Sequence, residues 1–395
     1  MSEMSYMEKL LDGAEVEWKA LEEVGDVLRG KRLTKKELSS DNRFPVFHGG
    51  LDPMGFYHES NRPSKTVMVI NVGASAGTVG FSDKEFWSSD GCFAIHCYDS
   101  LNSRFLYYVL IGHQQLLRSR VRVAGIPTLD ANVVEKLPIP IPCPEDPKKS
   151  LEIQSEIVRI LDTFTELTTE LTTELTNRKK QYNHYRDQLL CFEEGDVEWK
   201  TLGAISEYSQ NRINALQVNN QNYVGVDNLL QNRAGKTGSN YVPTSGNLTA
   251  YQDGDILIGN IRPYLKKIWH ADRRGGTNGD VLVVHAFDQG VLSRYLFQIL
   301  ADEKFFAYNM QHVKGAKMPR GSKSKIMEYK IPIPFPDNPQ KSLAEQARVV
   351  AILDKFDTLT HSISEGLPRE IELRQKQYEH YSNRLMNFPK PKDAA

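Results

Sequence analysis

About forty residues of this chain are written twice, and that duplication limits what the chain can fold into. IPIPCPEDPKKSLEIQSEIVRILDTFTEL runs from Ile139, and IPIPFPDNPQKSLAEQARVVAILDKFDTL runs from Ile331, an offset of 192 without a gap as far as Leu167 and Leu359. Farther on, KQYNHYRDQLL from Lys180 matches KQYEHYSNRLM from Lys376 at an offset of 196, so four residues entered one copy or left the other inside a helical pattern. A shorter match opens each copy: Val16-Glu17-Trp18-Lys19 recurs as Val197-Glu198-Trp199-Lys200. The repeating unit is therefore an opening segment, a globular stretch, a proline-rich exit and a long helix. A period this long means two copies of one domain-sized design rather than a solenoid of small repeats.

At 395 residues there is room for two or three domains, each with its own core. The balance of 40% hydrophobic and 25% charged residues is that of an ordinary globular protein. No apolar run approaches the roughly 18 residues of a membrane span, and the acidic N-terminus lacks a signal-peptide core, so no membrane association and a cytoplasmic location are expected. Cys92, Cys97, Cys143 and Cys191 form no CxxC pair, which fits free thiols in a reducing compartment. His96 beside Cys97 reads as part of a half-buried strand, GCFAIHCY, and no metal site is expected.

A net charge of −1 argues against a nucleic-acid partner until it is divided along the chain. Residues 29–142 carry 14 Lys/Arg against 10 Asp/Glu, and residues 203–334 carry 16 against 10. Residues 143–202 carry 8 against 13, and residues 1–28 carry 2 against 8. Two basic globular stretches alternate with acidic connecting parts, a distribution that suits DNA contact by the former and protein contact by the latter.

Strand-like runs (RFPVFHGG, TVMVINVG) and a helix at Phe105–Leu117 fill the first globular stretch. The second repeats that order as NYVGVDNLL, GDILIGNI, DVLVVHAF and the helix SRYLFQIL, with Phe105-Leu106-Tyr107 in register with Tyr295-Leu296-Phe297. Alternate prolines in PIPIPCP and IPIPFP forbid helix and central strand and favour a stiff, extended connector. In the first helix the apolar places Ile157, Ile160, Phe164, Leu167, Leu171, Leu175, Tyr182 and Tyr185 make a coiled-coil seam. Its one long step falls in the TELTTELTTELT array and reads as a stutter. The second helix continues the seam through Val349, Ile352, Phe356, Leu359, Ile363, Tyr378 and Tyr381, with a kink or break expected at Pro368.

The expected fold is α+β: two similar globular domains, joined and separated by two long helices in an antiparallel coiled coil, with an internal pseudo-two-fold repeat. The expected boundaries are 1–142 for the first domain, 143–192 for the first helix, 193–334 for the second domain, 335–388 for the second helix and 389–395 for a tail.

This pattern resembles the specificity subunit of type I restriction–modification systems over nearly the whole chain. PVFHGGLDPMGFYHE (from Pro45) and GDILIGNIRPYLKKIW (from Gly254) are similar to openings of that family's target recognition domains, and GIPTLDANVVEKLPIPIP to their exit. The TTEL array resembles the branch whose first repeated helix carries Thr-x-Glu-Leu tetrads. One difference is the longer lead-in PCPEDPKKSLEIQ, ending in Gln154, where many members have a compact Pro-Pro-x-x-Glu-Gln. The resemblance implies a non-catalytic chain whose two domains each read half of a bipartite, asymmetric sequence in double-stranded DNA. It implies helices that set the spacing and dock two adenine-N6 methyltransferase subunits, with ATP-dependent restriction subunits outside them. No cofactor is expected in this chain; S-adenosylmethionine, ATP and Mg belong to the partners.

The residues agree with a chain that does no chemistry. Methyl transfer to an exocyclic amine calls for an Asn/Asp-Pro-Pro-aromatic loop around a flipped base, and the nearest run, Ile261-Arg262-Pro263-Tyr264, lacks both the amide and the second proline. Gly73 to Gly80 lacks the Lys-Ser/Thr of a phosphate loop and reads as a tight turn, and Gly235-Lys236-Thr237 lacks the preceding glycine and strand. The DNA-contact candidates in the first domain are Lys31, Arg32, Lys35, Lys36, Arg118, Arg120 and Arg122. In the second they are Arg262, Tyr264, Lys266, Lys267, Arg273, Arg274, Lys314, Lys317, Arg320, Lys323 and Lys325. Most would hold phosphates, while Asn71, Asn260 and Asn278 are candidate base readers, because an amide pairs with adenine. Two alternatives stay open: a self-sufficient DNA methyltransferase, and a coiled-coil scaffold whose lobes bind protein.

Overall fold

A computed structural model describes residues 6–192, 197–362 and 365–389, and divides the chain into two compact units. The first runs as far as Leu167 and resumes at Gln375; the second is Thr168–Arg374. Each unit therefore combines a globular domain with helical segments from both repeats.

In the first unit an antiparallel four-stranded sheet has the order Gly25–Leu28, Cys92–Cys97, Thr66–Ile70, Val79–Ser82. Thr66–Ile70 is buried along its whole length, because the helix Ser103–Gly112 covers one face and a cluster with Phe47 and Phe86 fills the other. A smaller three-stranded sheet is centred on Phe44–Phe47. The second unit repeats this plan, with a sheet ordered Ser206–Tyr208, Val281–Ala286, Ile256–Gly259, Ile268–His270 under the helix Ser293–Leu300. Phe105 and Tyr295, the residues in register, are both fully buried.

Several expectations change in detail. The helix over Phe105–Leu117 is two helices, Ser103–Gly112 and Gln114–Ser119, divided at His113. NYVGVDNLL yields only a two-residue strand, Tyr223–Val224. The proline-rich exits are more than connectors. Pro138–Pro142 pairs antiparallel with the opening strand Val16–Ala20, and Lys330–Pro334 pairs with Val197–Thr201. A two-stranded ribbon tolerates alternate prolines because each strand is an edge and needs only every second N–H. The intervening Ile139, Ile141, Ile331 and Ile333 face the core. Each unit thus closes on itself, its opening strand paired with its exit.

The first helix is continuous over Pro147–Leu189, straight through the TTEL array. The second is not: Pro339–His361 and Gly366–Leu385 are separate helices. Pro368 sits in the first turn of the later helix, where a missing N–H costs nothing, so the break precedes it rather than falling on it. Gly366, at φ +74°, takes the left-handed turn there. Ile363 lies outside the described residues, as does the tail beyond Pro389.

The apolar seam divides between two jobs. Ile153, Ile157 and Leu161 join the core of the first domain, and Val349 and Leu353 that of the second. Helix-to-helix contact falls to the aromatics. In the first unit Phe164 stacks on Tyr381 at 5.2 Å, and Leu385 packs with Ile157 and Leu161. In the second, Tyr182 and Tyr185 stack on Phe356 at 5.9 and 5.5 Å, while Tyr182 also meets His361. Ascending positions on one segment meet descending positions on the other, so the pairing is antiparallel within each unit. Ile160, Leu171, Leu175, Ile352, Leu359 and Tyr378 are half-buried, whereas Leu167, Tyr185 and Tyr381 are exposed, so the seam is looser than a strict heptad reading implies.

Each helix is pinned where it leaves its domain, by the same side chains at the 192-residue offset. Gln154 is fully buried; its Oε1 accepts from the Asn102 N–H at 2.8 Å, and its Nε2 donates to the Ser100 carbonyl and the Ser150 hydroxyl. Gln346 repeats this with the Leu292 N–H, the Gly290 carbonyl and Ser342. Two turns farther along, Arg104 pairs with Asp162 at 2.8 Å and Arg294 with Asp354 at 3.0 Å. The longer lead-in to Gln154 thus ends in a glutamine lock.

Candidate nucleic-acid interface

The basic candidates are unevenly placed. In the second unit the loop 313–320 is closed at its base by reciprocal bonds, Lys314 N–H to the Arg320 carbonyl at 2.8 Å and Arg320 N–H to the Lys314 carbonyl at 2.9 Å. Gly315, at φ +89°, makes the reversal possible. Arg262 N–H donates to the Pro319 carbonyl at 2.8 Å, so the loop after strand Ile256–Gly259 lies against this hairpin. Arg262, Tyr264, Lys314, Lys317 and Arg320 are all exposed, and these contacts gather them on one patch. Arg320 also pairs with Asp280 at 3.0 Å, which fixes its direction.

The first unit builds the same hairpin from different residues. Arg122 and Thr128 exchange N–H···O bonds of 2.9 and 3.0 Å across residues 121–128, Gly125 turns at φ +84°, and Gly73 N–H donates to the Pro127 carbonyl at 2.9 Å. Arg118, Arg120 and Arg122 are exposed beside it; Arg118 donates to Thr78 Oγ1, and Arg122 pairs with Asp130 at 2.7 Å. The glycine-rich run from Gly73 is the turn between Ile70 and Val79, as its composition suggested.

Other candidates lie apart from these hairpins or are spoken for. Lys31 and Arg32 lead into the small sheet, where the Lys31 carbonyl accepts from Trp87 Nε1, and Lys35 and Lys36 sit on an exposed turn. Lys323 and Lys325 begin the short helix after the second hairpin; Glu328 holds Lys325 above its usual pKa through a 2.6 Å ion pair. Lys266 pairs with Glu303 at 2.6 Å. Lys267 is a correction: its amino group donates to the Val226 carbonyl, and burial pushes its pKa down, so it belongs to the domain's packing. Arg273 pairs with Asp272, and Arg274 lines a 410 Å³ cavity with Arg212, at the edge of that unit's other sheet, ordered Arg212–Asn214, Asn247–Tyr251, Gly275–Thr277, Tyr223–Val224.

The asparagines require a second correction. Asn71 and Asn260 are 9% and 5% exposed and cannot present an amide to a base edge. They occupy equivalent places, and their backbones tie the hairpins down: the Asn71 carbonyl accepts from Leu129 N–H, and the Asn260 carbonyl from Gly321 N–H. The Asn278 side chain caps its own turn through the Asp280 N–H. Asn278 is half-buried, so burial sets aside Asn71 and Asn260 but not Asn278.

Sequence reasoning missed a buried ionic group in the second unit. Arg186 is 2% exposed; it pairs with Asp302 at 2.8 Å and donates to Tyr182 Oη and the Gln298 carbonyl. Its counterpart at the 196-residue offset is Ser382, so only one helix end carries this ion pair. That asymmetry inside an otherwise faithful repeat was the available signal.

A profile of the type I restriction modification DNA specificity domain matches this sequence twice, over residues 14–180 and 196–373. The chain belongs to that family of type I restriction–modification specificity subunits. It is 36% identical to the type I restriction enzyme EcoR124I/EcoR124II specificity subunit of Escherichia coli, with 99% of both chains covered. The E. coli EcoprrI specificity subunit is 32% identical, over 92% of this chain and 93% of its own. The solved S subunit of a type I system from M. genitalium shares the fold, with a TM-score of 0.67 and 17% identity over 96% of this chain and 98% of that one.

Proposed function

We propose that each unit reads one half of a bipartite, asymmetric DNA target, and that the paired helices set the spacer and dock two methyltransferase subunits. Methyl transfer and ATP-dependent restriction, with S-adenosylmethionine, ATP and Mg, belong to partner subunits, and the complex works in the cytoplasm. The recurrence of one basic hairpin at the same place in both units carries this reading: the two halves share a backbone frame and differ in the side chains it displays. Cations on the frame hold phosphates and fix register, while the neighbouring loops supply sequence discrimination. Among the described residues no helix is long and apolar enough to cross a membrane.

The test is duplex binding by the chain assembled with its methyltransferase partner, across a salt series. A steep linear fall of log affinity with log salt is expected. Salt-independent binding, or none, would leave the protein-binding scaffold; methyl transfer by the purified chain alone would revive the self-sufficient methyltransferase.

A further inference from the structure

The two hairpins share a feature that phosphate contact does not explain: each displays exposed apolar side chains among its cations. Val123 is 81% exposed, Ile126 71% and Met318 52%, although all three sit on loops closed by reciprocal backbone bonds and braced by a neighbouring loop. The domain cores gain nothing from them. Around each tip stand cations, Arg118, Arg120 and Arg122 in one unit, Lys314, Lys317 and Arg320 in the other.

We propose that these tips are wedges: the flanking cations clamp phosphates, and Val123 with Ile126, and Met318, enter a groove and pry apart stacked base pairs. The inference deepens the DNA-reading proposal and rests on it. A rigid loop is needed because unstacking a base step costs free energy, and a floppy tip would fold back instead of entering. The basic collar makes a polyanion the fitting occupant, and one or two apolar side chains per loop match the gap at a single base step. A lipid surface shares the negative charge, but membrane binding scales with buried apolar area, and these tips offer little.

The experiment uses the full chain assembled with its methyltransferase partner and duplexes carrying 2-aminopurine at successive positions through the target. Unstacking raises the probe's fluorescence, and the wild type is expected to show one bright step in each half. The variant V123S/I126S is expected to lose the signal in one half only, and Met318→Ser in the other, with affinity falling about tenfold as the apolar contact goes. The salt slope should stay unchanged, because no phosphate contact is removed. Leucine at the same positions should keep both signals, which separates loss of the wedge from loss of fold. Salt-dependent binding by the wild type with no bright step overturns the wedge and leaves the reading function standing. Bright steps that survive serine substitution also overturn it. Sedimentation with phosphatidylglycerol vesicles, abolished by the same serines, would reassign the tips to lipid; absence of duplex binding would remove both proposals together.

Discussion

Gln154 and Gln346 are neutral side chains in the interior, each with its amide oxygen and nitrogen satisfied by a domain backbone and a serine one turn earlier. Truncating one leaves a backbone N–H and a carbonyl unpaired in the core, which costs about 1–3 kcal/mol. Q154A and Q346A are each expected to lower the thermal midpoint of the chain, read by calorimetry; midpoints equal to wild type would show that the locks are idle. Arg186 and Asp302 carry higher stakes. D302A strands a buried guanidinium and should cost about 3–5 kcal/mol, whereas the apolar pair R186M/D302L should recover much of it. His270 supplies a pH dependence. Burial, with help from Arg294, lowers its pKa from 6.5 to about 4. Between those values the unfolded chain binds the proton and the folded one does not, so stability falls as pH drops through that window. H270Q should flatten part of the decline in a pH series of melting curves.

Among elements, the long helix was the most legible part of the sequence. Its continuity, the break in its second copy and the antiparallel pairing of aromatics follow from a repeat offset, a Gly-Leu-Pro run and apolar spacing. The division of the seam was not legible, because a period of 3.5 cannot tell whether an apolar face meets a helix or a domain. Leu161 and Leu353, as fully buried as Ile157 and Val349 on the expected seam, lie one place off it. The proline-rich exits were read as extended but not as paired, since their partners lie more than a hundred residues away. The hairpins escaped for a related reason: no local pattern reveals that VRVAGIPT and VKGAKMPR close in the same way. Only reciprocal backbone bonds do. The TTEL array gives the element its own test. Four helical residues rise about 6 Å, against about 3.4 Å per base-pair step. Deleting residues 172–175 should shorten the non-specific spacer by between one and two base pairs, both half-sites surviving. Methylome sequencing of the deletion strain would read it; an unchanged spacer would discard the ruler.

At the scale of the whole molecule, a duplicated plan with separately varied surfaces is a way to read two unrelated half-sequences with one fold. Each unit closes its own ribbon and core, so side chains on one hairpin can change without repacking the other unit. Removing Lys314, Lys317 and Arg320 together should lower the salt slope by up to about three, one for each phosphate lost. The central claim, that recognition is divided between the units, is tested most directly by methylome sequencing of a strain in which residues 203–334 are replaced by the equivalent segment of the EcoprrI subunit. The expected result is a methylated target with one half-site unchanged and the other new. A target altered in both halves, or in neither, would contradict the account.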